Sequence, residues 1–312
     1  MTDSEIQDLP GVGEKTAEKL KEEGYNDLMS IAASSPGEIS GRTSIGESTA
    51  KKIINAARDE LEMGFETATK VVERRGNIGK ISLGADEVDE LIGGGVETQS
   101  LTEVFGAYGS GKSQMAMQLA VNVQKEGDGG LGKGCVFIDT ENTFRPERVE
   151  EIAENRGMDP EEVMENIYVA RAYNSDHQVM LVEKIDDVME ENDIGVVIVD
   201  SLTGNFRADY SGRGELAARQ QKLNRHLHAL QRVAEVYNTA VFVTNQVMSK
   251  PDVLFGDPTE AIGGHILHHA TSFRMYLRQG KGNTRVCKLV DSPSLPEGEA
   301  PFKITEEGIV DK

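Results

Sequence analysis

The sequence predicts an α/β protein with a mainly parallel central sheet, preceded by a small all-α domain. From about residue 100 onward, short runs of β-branched residues alternate with helical stretches, a pattern typical of parallel strands covered by helices on both faces. Residues 1–60 are instead rich in Ala, Lys, Glu and Ser and are broken by glycine-containing turns, which indicates short helices. A chain of 312 residues has room for about two such domains.

The composition indicates a folded protein with a strongly negative charge. The chain has 53 acidic and 33 basic side chains, a formal net charge of −20, and 38% hydrophobic residues. These proportions exclude wholesale disorder and a fibrous repeat. The net charge alone argues against nucleic acid as a partner, because Lys and Arg make phosphate contacts. A few arginines in one channel can override this effect locally.

The sequence shows no sign of secretion or membrane insertion. No apolar run approaches the ~18 residues that a membrane helix needs, and the acidic N-terminus lacks the basic and apolar regions of a signal peptide. Cys135 and Cys287 stand singly in apolar stretches, without a CxxC pair or a histidine at metal-ligand spacing. We therefore expect a cytoplasmic protein with core thiols and no membrane partner.

The N-terminal domain, residues 1–60, contains a segment typical of a helix–hairpin–helix. In LPGVGEKTAEKLKEEG, Gly11 and Gly13 free backbone amides to face a phosphate, and lysines follow on the next helix. The pattern fits a DNA contact through these glycines and fits a purely structural hairpin as well. A weaker second copy, SIGESTAKKI, is interpreted as a packing element.

The linker and the core follow this domain. Residues 61–80 combine a glycine-containing turn and a cluster of charges with no long apolar run, which is typical of a linker. We expect the core to span residues 81–312.

The strongest motif is GAYGSGKS, residues 106–113, between the strand SLTEVF and the helix-like SQMAMQLAVNVQ. Its glycines let successive backbone amides face a phosphate, Lys112 adds charge at the β- and γ-phosphates, and Ser113 offers a hydroxyl to Mg²⁺. We therefore predict a nucleoside-triphosphate site. It comprises Gly106, Ala107, Tyr108, Gly109, Ser110, Gly111, Lys112, Ser113 and Gln114.

Residues at three further strand ends are predicted to complete this site. VVIVDS ends in Asp200, whose carboxylate would hold Mg²⁺ through water. CVFIDTENTF offers Asp139 and Glu141 to polarise the attacking water, and Glu141 is favoured because it lies nearer the strand tip and reaches farther. Gln246 follows AVFVTN, where an amide suits a γ-phosphate sensor. The alternatives are helix capping for the two carboxylates and an ordinary loop glutamine.

Two glycine-containing segments, 203–216 and 248–264, follow strands and are expected to be mobile loops at the ligand-binding edge of the sheet. The first region carries Arg207, Arg213 and Arg219 at intervals of six residues, and spaced guanidinium groups can follow a phosphate backbone. The second has Lys250 and an apolar run suited to insertion between bases. Both are predicted to bind DNA without reading its sequence, although the first also fits a solvated loop.

Six blocks carry a resemblance to a known family. In chain order they are GAYGSGKS, DTENTFRPERV, ARAYNSDHQ, VVIVDSLTGNFRADYSGRGELAARQQKLNRHL, GDPTEAIGGHIL and DSPSLPEGEAPFKITEEGI. The sequence resembles the archaeal RadA recombinases, relatives of bacterial RecA. The resemblance implies a RecA-type P-loop core and an ATP-dependent filament on single-stranded DNA that pairs with homologous duplex and exchanges strands. A regulatory RadB-like paralogue and a RecA-fold ring ATPase or helicase are the alternatives.

The resemblance also assigns roles around the nucleotide. It implies that Lys112 and Ser113 hold phosphates and Mg²⁺, that Glu141 positions the attacking water, and that Gln246 reports the γ-phosphate to the adjacent DNA-binding loop. Arg148 would stack on adenine, a role suited to a planar guanidinium. A monovalent cation such as K⁺ is a further candidate cofactor. The sequence departs from many relatives at the residue after Glu141, where it has Asn rather than Gly, without an expected loss of activity.

Contacts between subunits are implied as well. His269 and Asp291 would reach the nucleotide of the neighbouring subunit, with a packed helix histidine as the alternative for His269. Phe65 and Ala68 match the family's FxxA tether, in which a Phe and a small residue insert into pockets on the next subunit and add an edge strand to its sheet. The expected assembly is a homo-oligomer, as a helical filament or a ring. Its expected partners are single- and double-stranded DNA and recombination mediators.

Overall fold

The computed structural model describes residues 6–127, 129–210, 212–249 and 259–312. The chain divides into two compact units, and the division falls between Asn77 and Ile78. Across the described ranges, no helix combines the length and the apolar character that crossing a membrane requires.

The first unit is all-helical. Its helices are α1 (Glu14–Glu22), α2 (Leu28–Ala32), α3 (Pro36–Arg42), α4 (Glu47–Glu60) and α5 (Ala68–Arg75). Asp27 begins α2 by accepting a hydrogen bond from Ser30 N at 2.6 Å, and Ser35 begins α3 in the same way. Leu20, Ile31 and other apolar side chains of α1 to α4 form a buried core. By contrast, α5 buries none of its residues.

The second unit is built around a mixed central sheet. Its strands are β1 (Lys80–Ile81), β2 (Val96–Glu97), β3 (Leu101–Gly106), β4 (Gly134–Asp139), β5 (Ile167–Arg171), β6 (Ile194–Asp200), β7 (Ala240–Asn245), β8 (Val247–Ser249), β9 (Thr259–Ala261), β10 (Phe273–Gln279), β11 (Thr284–Asp291), β12 (Gly298–Thr305) and β13 (Gly308–Asp311). In the described part of the chain, nine of these strands form one sheet in the order β13-β12-β11-β10-β3-β7-β6-β4-β5.

Helices cover both faces of this sheet. They are α6 (Asp86–Leu91), α7 (Lys112–Asn122), α8 (Pro146–Asn155), α9 (Pro160–Glu165), α10 (Ser175–Glu183), α11 (Ile185–Glu191), α12 (Gly204–Asp209), α13 (Leu216–Val236) and α14 (Gly264–Ala270). Alternate residues of β6 point to opposite faces, so that Val196 and Ile198 join one buried cluster and Val197 and Val199 join the other. The near-continuous apolar run of β6 reflects this burial on both faces.

The prediction of a mainly parallel sheet is confirmed. The strands from β10 through β3, β7, β6 and β4 to β5 are parallel, whereas β11, β12 and β13 extend one edge in antiparallel fashion. The carboxyl ends of β3, β7, β6 and β4 therefore lie side by side at one edge of the sheet. This edge is where parallel α/β sheets bind ligands.

A buried polar network ties these neighbouring strands together. Glu103 on β3 accepts hydrogen bonds from Asn245 Nδ2 and from Arg274 Nε, each at 2.7 Å. Asn245 in turn accepts a hydrogen bond from Thr203 Oγ1 at 2.7 Å. Because every member is paired, the network fixes the relative positions of β3, β7, β10 and the segment after β6.

Candidate active site

The four neighbouring strand ends surround a cleft of ≈ 830 Å³. The glycine-rich segment after β3 forms one wall, and Glu141, Asp200 and Gln246 stand at the ends of the other three strands. Its lining consists of Gly106, Ala107, Tyr108, Gly109, Gly111, Lys112, Ser113, Gln114, Met117, Glu141, Thr143, Arg145, Asp200, Ser201, Gln246, Val247, Asn283, Arg285 and Ile304. The structure therefore brings most of the predicted nucleotide-site residues into one space.

The glycine-rich segment has the shape of a phosphate-binding loop. Gly111 begins α7 with a φ of +107°, a conformation that favours glycine. A Cβ atom on Gly106 would lie 2.3 Å from Leu277 O, so the loop can pass the neighbouring strand only without a side chain. Within the described residues, the buried Ser110 Oγ has no hydrogen-bond partner. The cradle that glycine leaves open and this unpaired hydroxyl both fit a bound triphosphate.

Lys112 lies at the start of α7, inside this loop. Its Nζ donates hydrogen bonds to Gly106 O at 2.9 Å and to Ala107 O at 3.1 Å. Burial lowers the pKa of Lys112, and the nearby carboxylates of Asp200 and Glu141 oppose that shift. The ammonium group is therefore held next to the backbone amides that would receive the phosphates.

Asp200 and Ser113 supply the oxygen atoms suited to a hard cation. Asp200 is buried at the tip of β6, where its Oδ2 accepts a hydrogen bond from Thr143 Oγ1 at 2.7 Å and its Oδ1 accepts one from Thr244 Oγ1. Asp200 and Ser113 both line the cleft. Carboxylate and hydroxyl oxygens are ligands that Mg²⁺ prefers, and it keeps several waters between itself and the protein. These residues therefore fit Mg²⁺ bound together with phosphates.

The two carboxylates that follow β4 have different surroundings. Asp139 is buried and accepts hydrogen bonds from the backbone N–H groups of Glu141, Thr143 and Phe144 at 3.1–3.2 Å. Asp139 thus holds the turn together, and it does not cap the following helix, whose N-cap position is Arg145. Glu141 is exposed and faces the cleft, which favours it as the group that positions water.

Asn142, which directly follows Glu141, suits the backbone conformation of this turn. Asn142 has a φ of +59°, in the left-handed region that glycine adopts readily and asparagine tolerates better than most residues. Asn can therefore occupy the place of Gly without rearranging the turn that carries Glu141.

A chain of hydrogen bonds leads from Glu141 to the first segment predicted to bind DNA. Glu141 Oε1 accepts from Ser201 Oγ at 2.7 Å and from Gln246 Nε2 at 2.5 Å. Gln246 Oε1 accepts from Arg207 Nη1 at 3.0 Å. Gln246 therefore links Glu141 to Arg207, although the three residues follow three different strands.

The first DNA segment contains more helix than expected. Arg207 lies on α12, Arg219 lies on α13, and Arg213 begins a 3-10 turn between them. The prediction of an irregular loop over 203–216 is thus wrong for its first half. The reason is tertiary packing, since Asn205 and Phe206 are buried against the core and fix the backbone around them.

The second segment predicted to bind DNA, 248–264, is described only at its two ends. β8 and β9 pair in antiparallel fashion, with Val247 opposite Ala261. Lys250 and the apolar run at 253–255 lie outside the described residues. Their predicted DNA contacts stay predictions.

Four predicted nucleotide residues lie outside the lining of the cleft, namely the buried Ser110 of the P-loop, Arg148, His269 and Asp291. Arg148 donates hydrogen bonds from Nε to Gln114 Oε1 at 2.8 Å and from Nη2 to Thr305 O at 2.5 Å, so it stands beside the helix that carries the P-loop lysine. His269 and Asp291 are exposed on α14 and at the end of β11. Both side chains are therefore accessible to a neighbouring subunit.

The predicted residues of the first unit are at its surface. Gly11, with a φ of +88°, and Gly13, which begins α1, have open space where a Cβ would lie. Phe65 is 112% exposed relative to its reference state and Ala68 is exposed as well. A fully exposed phenylalanine gains no packing within its own chain, which indicates a role outside it.

Sequence reasoning missed several residues that shape the cleft. Ser201 donates a hydrogen bond to Glu141 and Thr143 donates one to Asp200, and the position of Ser201 directly after the tip of β6 was an available signal. Arg145 and Arg285 also line the cleft. Arg285 Nε donates to Gly109 O at 3.2 Å across 176 residues of chain, a contact that no local pattern announces.

Comparisons with known proteins agree with this arrangement. A family model described as Rad51 matches residues 74–312. A second model, described as a SAM-like helix-hairpin-helix tandem, matches residues 3–59 and so includes the weaker second hairpin. The DNA repair and recombination protein RadA of Haloferax volcanii is 49% identical over 342 aligned positions, which cover 99% of each chain.

Proposed function

The chain belongs to the Rad51 family, and on this premise we propose that it is a DNA-dependent ATPase that forms filaments on single-stranded DNA and exchanges strands during recombination and DNA repair. The observation that carries the proposal is the hydrogen-bonded chain from Glu141 through Gln246 to Arg207. It joins a phosphate-binding cleft to a segment suited to DNA. A phosphate-binding loop alone would support any P-loop enzyme.

The residues of the cleft have different proposed roles in ATP hydrolysis. The backbone of the P-loop and the Lys112 ammonium would bind the β- and γ-phosphates, and Ser113 and Asp200 would hold Mg²⁺, whose charge would offset that of the phosphate oxygens. Glu141 orients a water molecule in line with the γ-phosphate and accepts its proton. Ser201 supports Glu141 through the hydrogen bond to Oε1.

Arg148 is proposed to stack on the adenine. Its guanidinium edges donate to Gln114 and to the backbone carbonyls of Thr305 and Glu306. Contacts at the edges fix the plane of the group and leave its flat faces for an aromatic ring. The same contacts keep the position rigid before the nucleotide arrives.

The surfaces of the chain support assembly into a filament. Phe65 and Ala68 are proposed to insert together into pockets on the next protomer and to add an edge strand to its sheet. The sheet offers β5 as an open edge, and Val169 on it is 46% exposed, with Tyr173 just after it 76% exposed. An added strand would pair its backbone with β5 and bury these apolar groups. His269 and Asp291 would reach the nucleotide across the same type of interface.

DNA contacts are proposed at two places. Arg207, Arg213 and Arg219 would follow the phosphates of the strand bound beside the nucleotide, together with Lys250. In the first unit, the exposed backbone at Gly11 and Gly13 would bind a further phosphate at the start of α1.

Some expectations rest on the resemblance alone. A monovalent cation such as K⁺, a ring form and recombination mediators stay predictions. A protein that acts on chromosomal DNA in this way is proposed to work in the cytoplasm.

The experiment is an ATPase assay with and without single-stranded DNA on wild type and Glu141→Gln. DNA should stimulate the wild type. Glu141→Gln should bind ATP and DNA but lose roughly 10²–10⁴-fold in turnover, because the amide cannot accept the proton. Glu147→Gln, an exposed glutamate on α8, serves as the matched control. DNA-independent turnover by the wild type, or a Glu141→Gln variant as fast as wild type, would contradict the proposal.

A further inference from the structure

The side-chain amide of Gln246 is held at both ends. Its nitrogen donates to Glu141 Oε1 at 2.5 Å, and its oxygen accepts from Arg207 Nη1 at 3.0 Å. An amide has its donors on one atom and its acceptor on the other, so the two contacts together fix the direction in which it points. The amide can turn toward another partner only if these contacts break.

The same contacts determine what the Glu141 carboxylate can do. Oε1 accepts from Gln246 and also from Ser201 Oγ at 2.7 Å. A carboxylate oxygen has about two lone-pair sites, and these two donors fill them. In this arrangement Oε1 has no lone pair left for a water molecule, so a water can use only Oε2 of this carboxylate.

Arg207 reaches Gln246 from a fixed backbone. Asn205 Nδ2 donates to Ala172 O at 3.3 Å, and Asp209 Oδ2 accepts from the backbone N–H at the start of α10 at 2.7 Å. Phe206, the residue before Arg207, is 1% exposed. α12 is therefore anchored on both sides of Arg207, and the contact with Gln246 follows from how this helix packs.

We propose that Arg207 is a positioning residue for ATP hydrolysis in addition to its predicted DNA contact. It holds Gln246 on Glu141 until a DNA phosphate binds the guanidinium. A guanidinium binds phosphate through paired, charge-assisted hydrogen bonds, which are stronger than one bond to a neutral amide oxygen. Phosphate therefore displaces Gln246 from Arg207.

Displacement changes the catalytic carboxylate. Once Arg207 has turned to phosphate, the Gln246 amide rotates away from Glu141 and Oε1 regains a lone pair for the attacking water. The contact thus suppresses hydrolysis when DNA is absent. This inference rests on the proposed function, because it assigns the DNA dependence of that same site to one hydrogen bond.

The test measures ATP hydrolysis by the full chain, without DNA and with saturating single-stranded DNA, in Arg207→Ala and Arg207→Met. Both variants should hydrolyse ATP roughly tenfold faster than wild type without DNA, the factor expected for losing one hydrogen bond. The KM for ATP should stay unchanged, because Arg207 does not line the cleft. Arg225→Ala removes an exposed arginine on α13 and is the matched control, with both rates unchanged.

A double-mutant cycle shows whether Arg207 acts through Gln246. In a Gln246→Ala background, replacing Arg207 should leave the rate without DNA unchanged. A rate without DNA equal to wild type in both Arg207 variants, or an increase that persists without Gln246, would overturn the inference. A wild type that DNA does not stimulate would instead contradict the proposed function, so the two failures are distinguishable.

Discussion

Gln246 donates a hydrogen bond to Glu141 at 2.5 Å although 105 residues separate them in the chain. The contact is possible because β4 and β7 lie on either side of β6, so that their carboxyl ends flank Asp200. Glu141, proposed to position water, and Gln246, proposed to sense the γ-phosphate, thus meet beside the predicted metal ligand at the end of β6. Sheet order, rather than any local motif, creates this arrangement.

Substitution of Asp139 should lower stability, whereas substitution of Glu141 should abolish catalysis without lowering stability. Asp139→Ala removes a buried acceptor of three backbone hydrogen bonds and should lower the free energy of unfolding of the core by about 2 kcal/mol. Glu141→Ala changes an exposed side chain and should leave that free energy unchanged while abolishing turnover. Denaturant titration and an ATPase assay on both variants check this. Equal stability of the two variants would contradict the structural role of Asp139.

Asn142 offers a test of the turn that carries Glu141. Its φ of +59° predicts that Asn142→Ala costs about 1 kcal/mol of unfolding free energy, whereas Asn142→Gly costs little and keeps full ATPase activity. The comparison of the two variants by denaturant titration isolates the backbone effect. An alanine variant as stable as the glycine variant would show that this turn relaxes.

Stability should fall in mild acid because of one buried histidine. Burial, with a smaller effect of Lys222, lowers the pKa of His226 to about 3, below its ordinary value of about 6.5. The folded state keeps His226 neutral while the unfolded chain binds a proton, so its contribution is complete above about pH 6.5 and is lost as pH falls toward 3.

The contribution of His226 is measured by comparing the pH dependence of the unfolding free energy in wild type and in a variant without this histidine. Between pH 7 and pH 5, His226 should account for about 2 kcal/mol of lost unfolding free energy. His226→Gln should lack that portion of the pH dependence in denaturant titrations at both pH values. His228→Gln, an exposed histidine on the same helix, should retain it. An equal loss of unfolding free energy between pH 7 and pH 5 in wild type and His226→Gln would refute this assignment.

Phe65 should matter for assembly and not for folding. Because its side chain is 112% exposed, Phe65→Ala should keep the thermal midpoint of wild type yet yield a monomer that forms no filament with ATP and DNA. Light scattering and electron microscopy measure the assembly. Met29→Ala, which also removes an exposed apolar group of the first unit, should assemble normally. Filaments of wild-type length from Phe65→Ala would rule out the tether.

The sequence predicts which residues lie at the strand ends, but it does not predict the hydrogen bonds that connect them. The alternation of apolar runs predicts β3, β4, β6 and β7, and the motifs after them place the P-loop, Glu141, Asp200 and Gln246 at one edge of the sheet. Parallel topology makes that inference safe, since all carboxyl ends face the same edge.

Local sequence patterns do not predict contacts between side chains on different helices and strands. The bond from Arg207 to Gln246 spans 39 residues and exists because α12 packs against the core. Its glycine- and charge-rich sequence instead predicted a loop. Phe206, the residue before Arg207, is buried and anchors that helix.

The most direct test of the account is DNA-stimulated ATP hydrolysis by Gln246→Ala at saturating ATP and single-stranded DNA. The variant should fold, bind both ligands and show no stimulation by DNA, because the link between Arg207 and Glu141 has been removed. Stimulation equal to that of wild type would contradict it.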